Sequence, residues 1–150
     1  RGLFVLKAFT KMYAIPGIRL GYGITSDKEL IDKMYDAGQP WNVSVLAQNA
    51  GIAALDEDKF AADTVSLISK EREFICTNFQ RMNIKYWESG ANYIFFMHKK
   101  GLKEELLNRG ILIRDCSNYK NLTDGYYRIA IKSHKDNVIL IDALADIDIN

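Results

Sequence analysis

Lys11 stands in the most suggestive setting of the chain. It follows Thr10 at the end of an apolar stretch and precedes Tyr13, a Pro16-Gly17 turn, Arg19 and the run Gly21-Tyr22-Gly23. A lysine amine at its ordinary pKa of about 10.4 is a weak nucleophile at neutral pH, so covalent work needs a site favouring its neutral or imine form. A lysine without such a setting is usually a solvated surface charge. Toward the other end lie Arg114 and Arg128, each a planar fork of donors matched to carboxylate or phosphate. An ordinary strand arginine reaching solvent is the plain alternative for both. Cys76, Cys116, His98 and His134 form no C-x-x-C pair and no clustered set, so no metal site is readable. The two cysteines read as small buried hydrophobes of a reducing compartment, with Cys116 close enough to Arg114 for a lowered pKa.

The elements that must position these residues follow from periodicity and turn chemistry. Leu3–Phe9 and Ile18–Ile24 are apolar stretches of strand length, joined through the Pro16-Gly17 turn. Ser26-Asp27-Lys28-Glu29 reads as a capping box ahead of a helix with Leu30, Ile31, Met34 and Tyr35 on one face, closed by Gly38. A second helix is expected over Ser44–Leu55, and a longer one opens at Asp58, with Ala61, Val65, Ile68, Ile75, Phe79 and Met82 at helical spacing. Beyond it the texture changes. Ile84–Trp87, Tyr93–Met97, Ile111–Arg114 and Tyr126–Lys132 read as strands, the last with Tyr127, Ile129 and Ile131 on one face and Arg128 on the other. Helices are expected over Gly101–Arg109 and, after an N-cap at Ser133, over Asn137–Ile147. The aromatic cluster Tyr86, Trp87, Tyr93, Phe95 and Phe96 reads as core packing rather than a base-stacking platform, because no basic stripe interleaves it. The order is thus an opening α/β piece, a long helix, and a closing α+β lobe.

The run Phe9-Thr10-Lys11-Met12-Tyr13-Ala14-Ile15-Pro16-Gly17-Ile18-Arg19-Leu20-Gly21-Tyr22 resembles the active-site lysine region of pyridoxal-phosphate enzymes of the aspartate-aminotransferase fold type, in the class I/II aminotransferase family. The family pattern, roughly [ST]-K-x-[YF]-x-x-x-G-x-R-x-G-[YF], is met at every fixed position. The resemblance implies that Lys11 is the Schiff-base lysine and moves protons at the substrate Cα, and that Thr10 and Arg19 bind the cofactor phosphate. It also implies that Arg128 grips the substrate α-carboxylate, while Arg114 matches an arginine of the branch holding histidinol-phosphate aminotransferase and threonine-phosphate decarboxylase, whose substrates carry a phosphate. The string Arg114-Asp115-Cys116-Ser117-Asn118-Tyr119 and the step to Arg128 look more like the decarboxylase. One position departs: Ala8 stands where many relatives carry a further hydroxyl, so one phosphate hydrogen bond is either missing or supplied from elsewhere.

The fold implied is α/β: the C-terminal fragment of a fold type I pyridoxal-phosphate transferase, ending in an α+β small domain. Residues 1–57 would be a remnant of the large cofactor-binding domain, and 58–150 the small domain with its linking helix. No position matches the family's upstream aspartate, ring-stacking aromatic, asparagine or tyrosine. Arg1 therefore reads as a cut within the large domain, and the fragment alone is expected to be inert. The intact enzyme is expected to be a cytoplasmic homodimer acting on an amino-acid substrate. A non-catalytic α+β binding or assembly module is the rival class. With 20 Lys+Arg against 19 Asp+Glu among 150 residues, the net charge of +1 gives no bulk field for nucleic acid or an anionic membrane. No run of about 18 apolar residues suggests a membrane span.

Overall fold

Val5–Ala8 (β1) and Gly21–Ile24 (β2) pair antiparallel in the computed structural model, which describes residues 2–149. The strands are shorter than the apolar stretches that signal them. Phe9–Met12 turns into a short helix, α1, so Lys11 sits on helical backbone one turn past the strand. A 3₁₀ turn over Pro16–Ile18 follows, with Pro16 at its first position, where the missing N–H costs nothing. Lys28–Ala37 forms α2, capped by Asp27, whose Oδ1 accepts from the Leu30 N–H at 3.0 Å. The cap is thus Asp27 and not Ser26. Val45–Leu55 forms α3, and Ser44, expected as its first residue, is instead its cap, accepting from the Ala47 N–H at 3.1 Å. The long helix α4 runs Asp58–Arg81.

The chain divides into two compact units, one ending at Thr64 and the other starting at Val65, within α4. The first unit buries little: Phe9 and Ala47 are its buried hydrophobics, and the apolar face of α2 leaves Met34 and Tyr35 exposed.

The second unit holds a four-stranded antiparallel sheet in the order β3-β4-β6-β5, formed by Lys85–Trp87 (β3), Tyr93–Met97 (β4), Arg114–Asp115 (β5) and Tyr126–Ala130 (β6). Leu102–Leu107 is α5 and His134–Ile149 is α6. β5 starts later than Ile111 because that residue closes α5 instead. Gly110, at φ 78°, donates its N–H to Leu107 O at 2.9 Å, and Ile111 donates to Leu106 O at 2.9 Å, which is a Schellman closure. One face of the sheet and the facing stripes of α4, α5 and α6 enclose a single core that includes Ile75, Phe79, Ile94, Phe96, Tyr127, Ile129 and Leu144.

That core also contains a charge. Glu71 lies on the buried stripe of α4, and Asn137, at the start of α6, donates Nδ2 to its carboxylate at 2.9 Å. His134 Nδ1 lies 3.1 Å from both carboxylate oxygens. Asn137 also joins Lys132 in both directions, accepting from its N–H at 3.1 Å and donating to its carbonyl at 3.0 Å. The Asn137 hydrogen bond, with help from His134 and against the opposing effect of burial, holds the Glu71 carboxyl below its ordinary range.

Folding therefore favours the ionised Glu71. Its contribution is complete above the ordinary carboxylate value of about 4.3 and is lost as pH falls through that value toward the lower folded one. Asn137→Ala should lower stability by about 1–3 kcal/mol at neutral pH and flatten this acid limb. Denaturant midpoints measured from pH 7 down to 3, at constant slope, check both parts.

Candidate active site

The first group of candidate residues gathers at the end of the β1–β2 hairpin. Ala8 pairs with Gly21, and the Phe9 N–H donates to Leu20 O at 3.2 Å, carrying the ladder one rung further. Thr10 and Arg19 are the next residues outward on the two arms, and Lys11 follows Thr10 on α1. Phe9 anchors this end: it is buried, and its ring centroid lies 5.3 Å from that of Tyr13 and 5.6 Å from that of Tyr22. Arg19 adopts left-handed backbone at φ 57°, ψ 41°, which turns the chain out of the 3₁₀ turn. Its N–H and its Nη1 both donate to the Pro16 carbonyl, at 3.4 and 3.2 Å, so one acceptor fixes backbone and guanidinium together. Lys11 and Arg19 are exposed, Thr10 is half-buried, and neither cation makes an ion pair among the described residues. An amine, a guanidinium and a hydroxyl without a carboxylate suit a ligand bearing a carbonyl and a phosphate.

The second group lies in the other unit. Trp87, Phe95, Arg128 and Arg114 form one cross-strand row, Trp87 opposite Phe95, Phe95 opposite Arg128, and Arg128 opposite Arg114. This row is on the face away from the core. Strand alternation therefore corrects the reading of the aromatic cluster. Phe96 is fully buried and Tyr86 packs against the core, but Trp87 and Tyr93 are each 37% exposed on the opposite face. There Trp87, Phe95 and Tyr126 form an aromatic patch, the Phe95 and Tyr126 rings stacked at 5.7 Å.

The Arg128 guanidinium sits over the Tyr93 ring at 4.8 Å, and that of Arg114 over the Tyr119 ring at 5.6 Å. Arg114 Nη2 donates to Asn118 Oδ1 at 3.1 Å. Arg128, Tyr93, Phe95, Tyr119, Cys116 and Glu88 line a cleft of about 320 Å³. Neither arginine makes an ion pair among the described residues. The adjacent Asp115 instead accepts from the Ser117 N–H at 2.8 Å, the main reason its carboxyl is held below the usual range. Cys116 is fully buried, and burial pushes its thiol up despite the nearby Arg128 and Arg114, so it is no activated nucleophile.

Tyr93, Asn118 and Tyr119 did not stand out as site residues in the sequence. Tyr93 carried a usable signal, since it shares a strand face with Phe95, two positions on; the turn that brings Tyr119 back to Arg114 left none. Among the described residues no group of three or more His, Cys, Asp or Glu side chains could hold a metal ion, and no helix is long and apolar enough to cross a membrane.

Residues 2–144 match the family model described as aminotransferase class I and II. The chain is 36% identical over 149 residues to threonine-phosphate decarboxylase of Salmonella typhimurium, covering 97% of this chain and 41% of that protein. It is 30% identical over 152 residues to histidinol-phosphate aminotransferase of Methanosphaera stadtmanae, covering 97% and 41%. The solved histidinol-phosphate aminotransferase of Clostridium acetobutylicum superposes with a TM-score of 0.91 at 33% identity, over 99% of this chain and 46% of that one. The chain thus spans about two fifths of the length of the curated relatives it matches.

The hairpin geometry makes a direct prediction. A Cβ on Gly21 would lie 2.8 Å from the Lys7 carbonyl, and backbone on that side cannot yield without opening the last rungs. Gly21→Ala should therefore speed hydrogen exchange at the Phe9 amide about tenfold or more, while amides of β4 and β6 keep their protection.

Proposed function

The chain belongs to the aminotransferase class I and II family, a family of pyridoxal-phosphate-dependent enzymes, and from that premise we propose that the protein acts on an amino acid bearing a phosphate. The observation that carries this reading is the pair Arg114 and Arg128, opposed in the strand register and each without an ion pair among the described residues. Like charges directly opposite on a sheet destabilise it, and two anionic groups on one ligand would relieve both.

Arg128, which lines the cleft, would receive the α-carboxylate, and Arg114 the phosphate. Lys11 would hold the cofactor through its amine and would move the proton at the substrate Cα. Arg19 and Thr10 would hold the cofactor's phosphate, with Ala8 contributing no hydroxyl. When bound, the cofactor supplies an aldehyde carbon and an electron-withdrawing ring that lowers the cost of charge at Cα. The unit carrying Lys11 is accordingly part of the cofactor-binding domain and the later unit is the substrate lobe, in an enzyme that works as a homodimer.

Two branches fit this chemistry. We favour a threonine-phosphate decarboxylase, on the Arg114–Tyr119 string and the 36% identity to the Salmonella typhimurium enzyme. Histidinol-phosphate aminotransferase is the second reading, favoured by the TM-score of 0.91 to the Clostridium acetobutylicum structure.

Borohydride treatment of the intact protein with pyridoxal phosphate should fix the cofactor on Lys11, identified by peptide mapping; an unlabelled Lys11 would sink the enzyme reading in favour of a binding module. Arg128→Leu should cut kcat/KM about 10- to 150-fold, the loss of one charge-assisted hydrogen bond. With threonine phosphate the intact enzyme should release CO2; transfer of the amino group to a keto acid without CO2 would select the other branch.

A further inference from the structure

We infer that Asn118 and Tyr119 are positioning residues that hold Arg114 as the phosphate-reading arm, and so set the preference for phosphorylated over unphosphorylated substrates. The inference rests on the reading of Arg114 given above.

Arg114 begins a two-residue edge strand and is exposed. A long cationic side chain in that place would ordinarily sample many rotamers and lose that freedom on binding. Here two contacts restrain it from within five residues. Its Nη2 donates to Asn118 Oδ1 at 3.1 Å, and its plane lies over the Tyr119 ring at 5.6 Å. The turn that presents both residues is itself tied down. Ser117 N–H donates to Asp115 Oδ1 at 2.8 Å, Tyr119 N–H to Cys116 O at 3.0 Å, Leu122 N–H to Tyr119 O at 3.0 Å, and Cys116 N–H to Tyr126 O on β6 at 2.8 Å. The clamp is therefore referenced to the sheet and not to a loose loop.

The chemistry of the clamp separates it from an ordinary surface contact. Asn118 is neutral, so it orients the guanidinium without cancelling its charge. It occupies one of five donors, and the tyrosine takes only a face, leaving donors free for phosphate oxygens. Tyr119 also lines the cleft that Arg128 enters, placing the clamp beside the other anion-binding group. Arg128 is held in the same manner, over Tyr93 at 4.8 Å. Two opposed cations each drawn onto its own ring are kept apart yet charged, which is the state a two-anion ligand requires.

The test compares kcat/KM for threonine phosphate with kcat/KM for threonine in the intact enzyme. Asn118→Asp keeps the acceptor but adds a negative charge, and should lower the ratio about tenfold or more. Tyr119→Leu should also lower it, and Tyr119→Phe, which keeps the ring, should restore it. Arg114→Gln serves as the reference. If Arg114→Gln leaves the ratio unmoved, the assignment of Arg114 to the phosphate fails. If Arg114→Gln lowers the ratio while Asn118→Asp and Tyr119→Leu do not, or lower both substrates equally, the positioning role is overturned and the reading of Arg114 stands.

Discussion

Register on β6 is the constraint from which the second unit's arrangement follows. Tyr127 and Ile129, 2% and 3% exposed, face the core, so Tyr126 and Arg128 must face away. A one-residue slip would drive a guanidinium among Phe79, Phe96 and Leu144 and expel Ile129 to solvent. Bonds beyond the strand lock the alignment at both ends. His98 N–H donates to Gly125 O and Ile131 N–H to Asn92 O, each at 2.9 Å, while Tyr127 Oη donates to Lys99 O at 3.0 Å. Gly125 is obligatory in this scheme: its φ is 94°, and a Cβ there would meet the His98 carbonyl at 2.8 Å. The position of Arg128 is thus dictated by hydrophobic burial on the opposite face.

The hairpin of the first unit applies the same principle with less material. Its ladder brings Thr10 and Arg19 to the same end, and one buried aromatic, Phe9, anchors the turn into α1. α3 supports it from the Leu20 side, where Gly51 leaves room: a Cβ there would lie 2.5 Å from Leu20 Cδ2. Among the described residues, hydrogen bonds to Pro16 O and Leu20 O tie this end of the hairpin together.

Much of this was legible from residue types. The alternation along Tyr126–Ala130, the extent of β4, the end of α3 at Leu55, the start of α4 and the terminal Ser133 cap all appear where patterning puts them, because each rests on local chemistry. The boundaries that moved have equally local causes. Ile111 is used to close α5, Asp27 outcompetes Ser26 for the Leu30 N–H, and the β1 stretch is cut short where α1 begins. What periodicity misses is pairing across distance. Ile68, Ile75 and Phe79 mark the core stripe of α4, and Glu71 on that stripe reads as an interruption until Asn137 and His134 are brought to it. Likewise nothing in the strand pattern of Arg114 and Arg128 says that they are opposed, since their pairing depends on a turn closed by backbone bonds.

Charged groups in this chain are held by several kinds of partner, carbonyls and rings included: Arg72 donates to the Ala91 carbonyl at 2.7 Å and Lys85 lies over the Trp87 ring at 5.2 Å. Glu71, buried in the core, is fully hydrogen-bonded, and surface lysines such as Lys99 and Lys100 have carboxylates, Glu105 and Asp124, at 3.1 and 2.7 Å. Acidic groups are not scarce, at 19 against 20 Lys+Arg. Yet Arg19, Arg114 and Arg128 are held by a carbonyl, an amide and aromatic rings, partners that orient a cation without neutralising it. A fold selected for stability alone would pair the opposed arginines with acids or replace one of them. Their retention as oriented charges is a local cost of the kind that binding sites impose on otherwise consistent folds, and it supports the proposal that the two arginines bind anions.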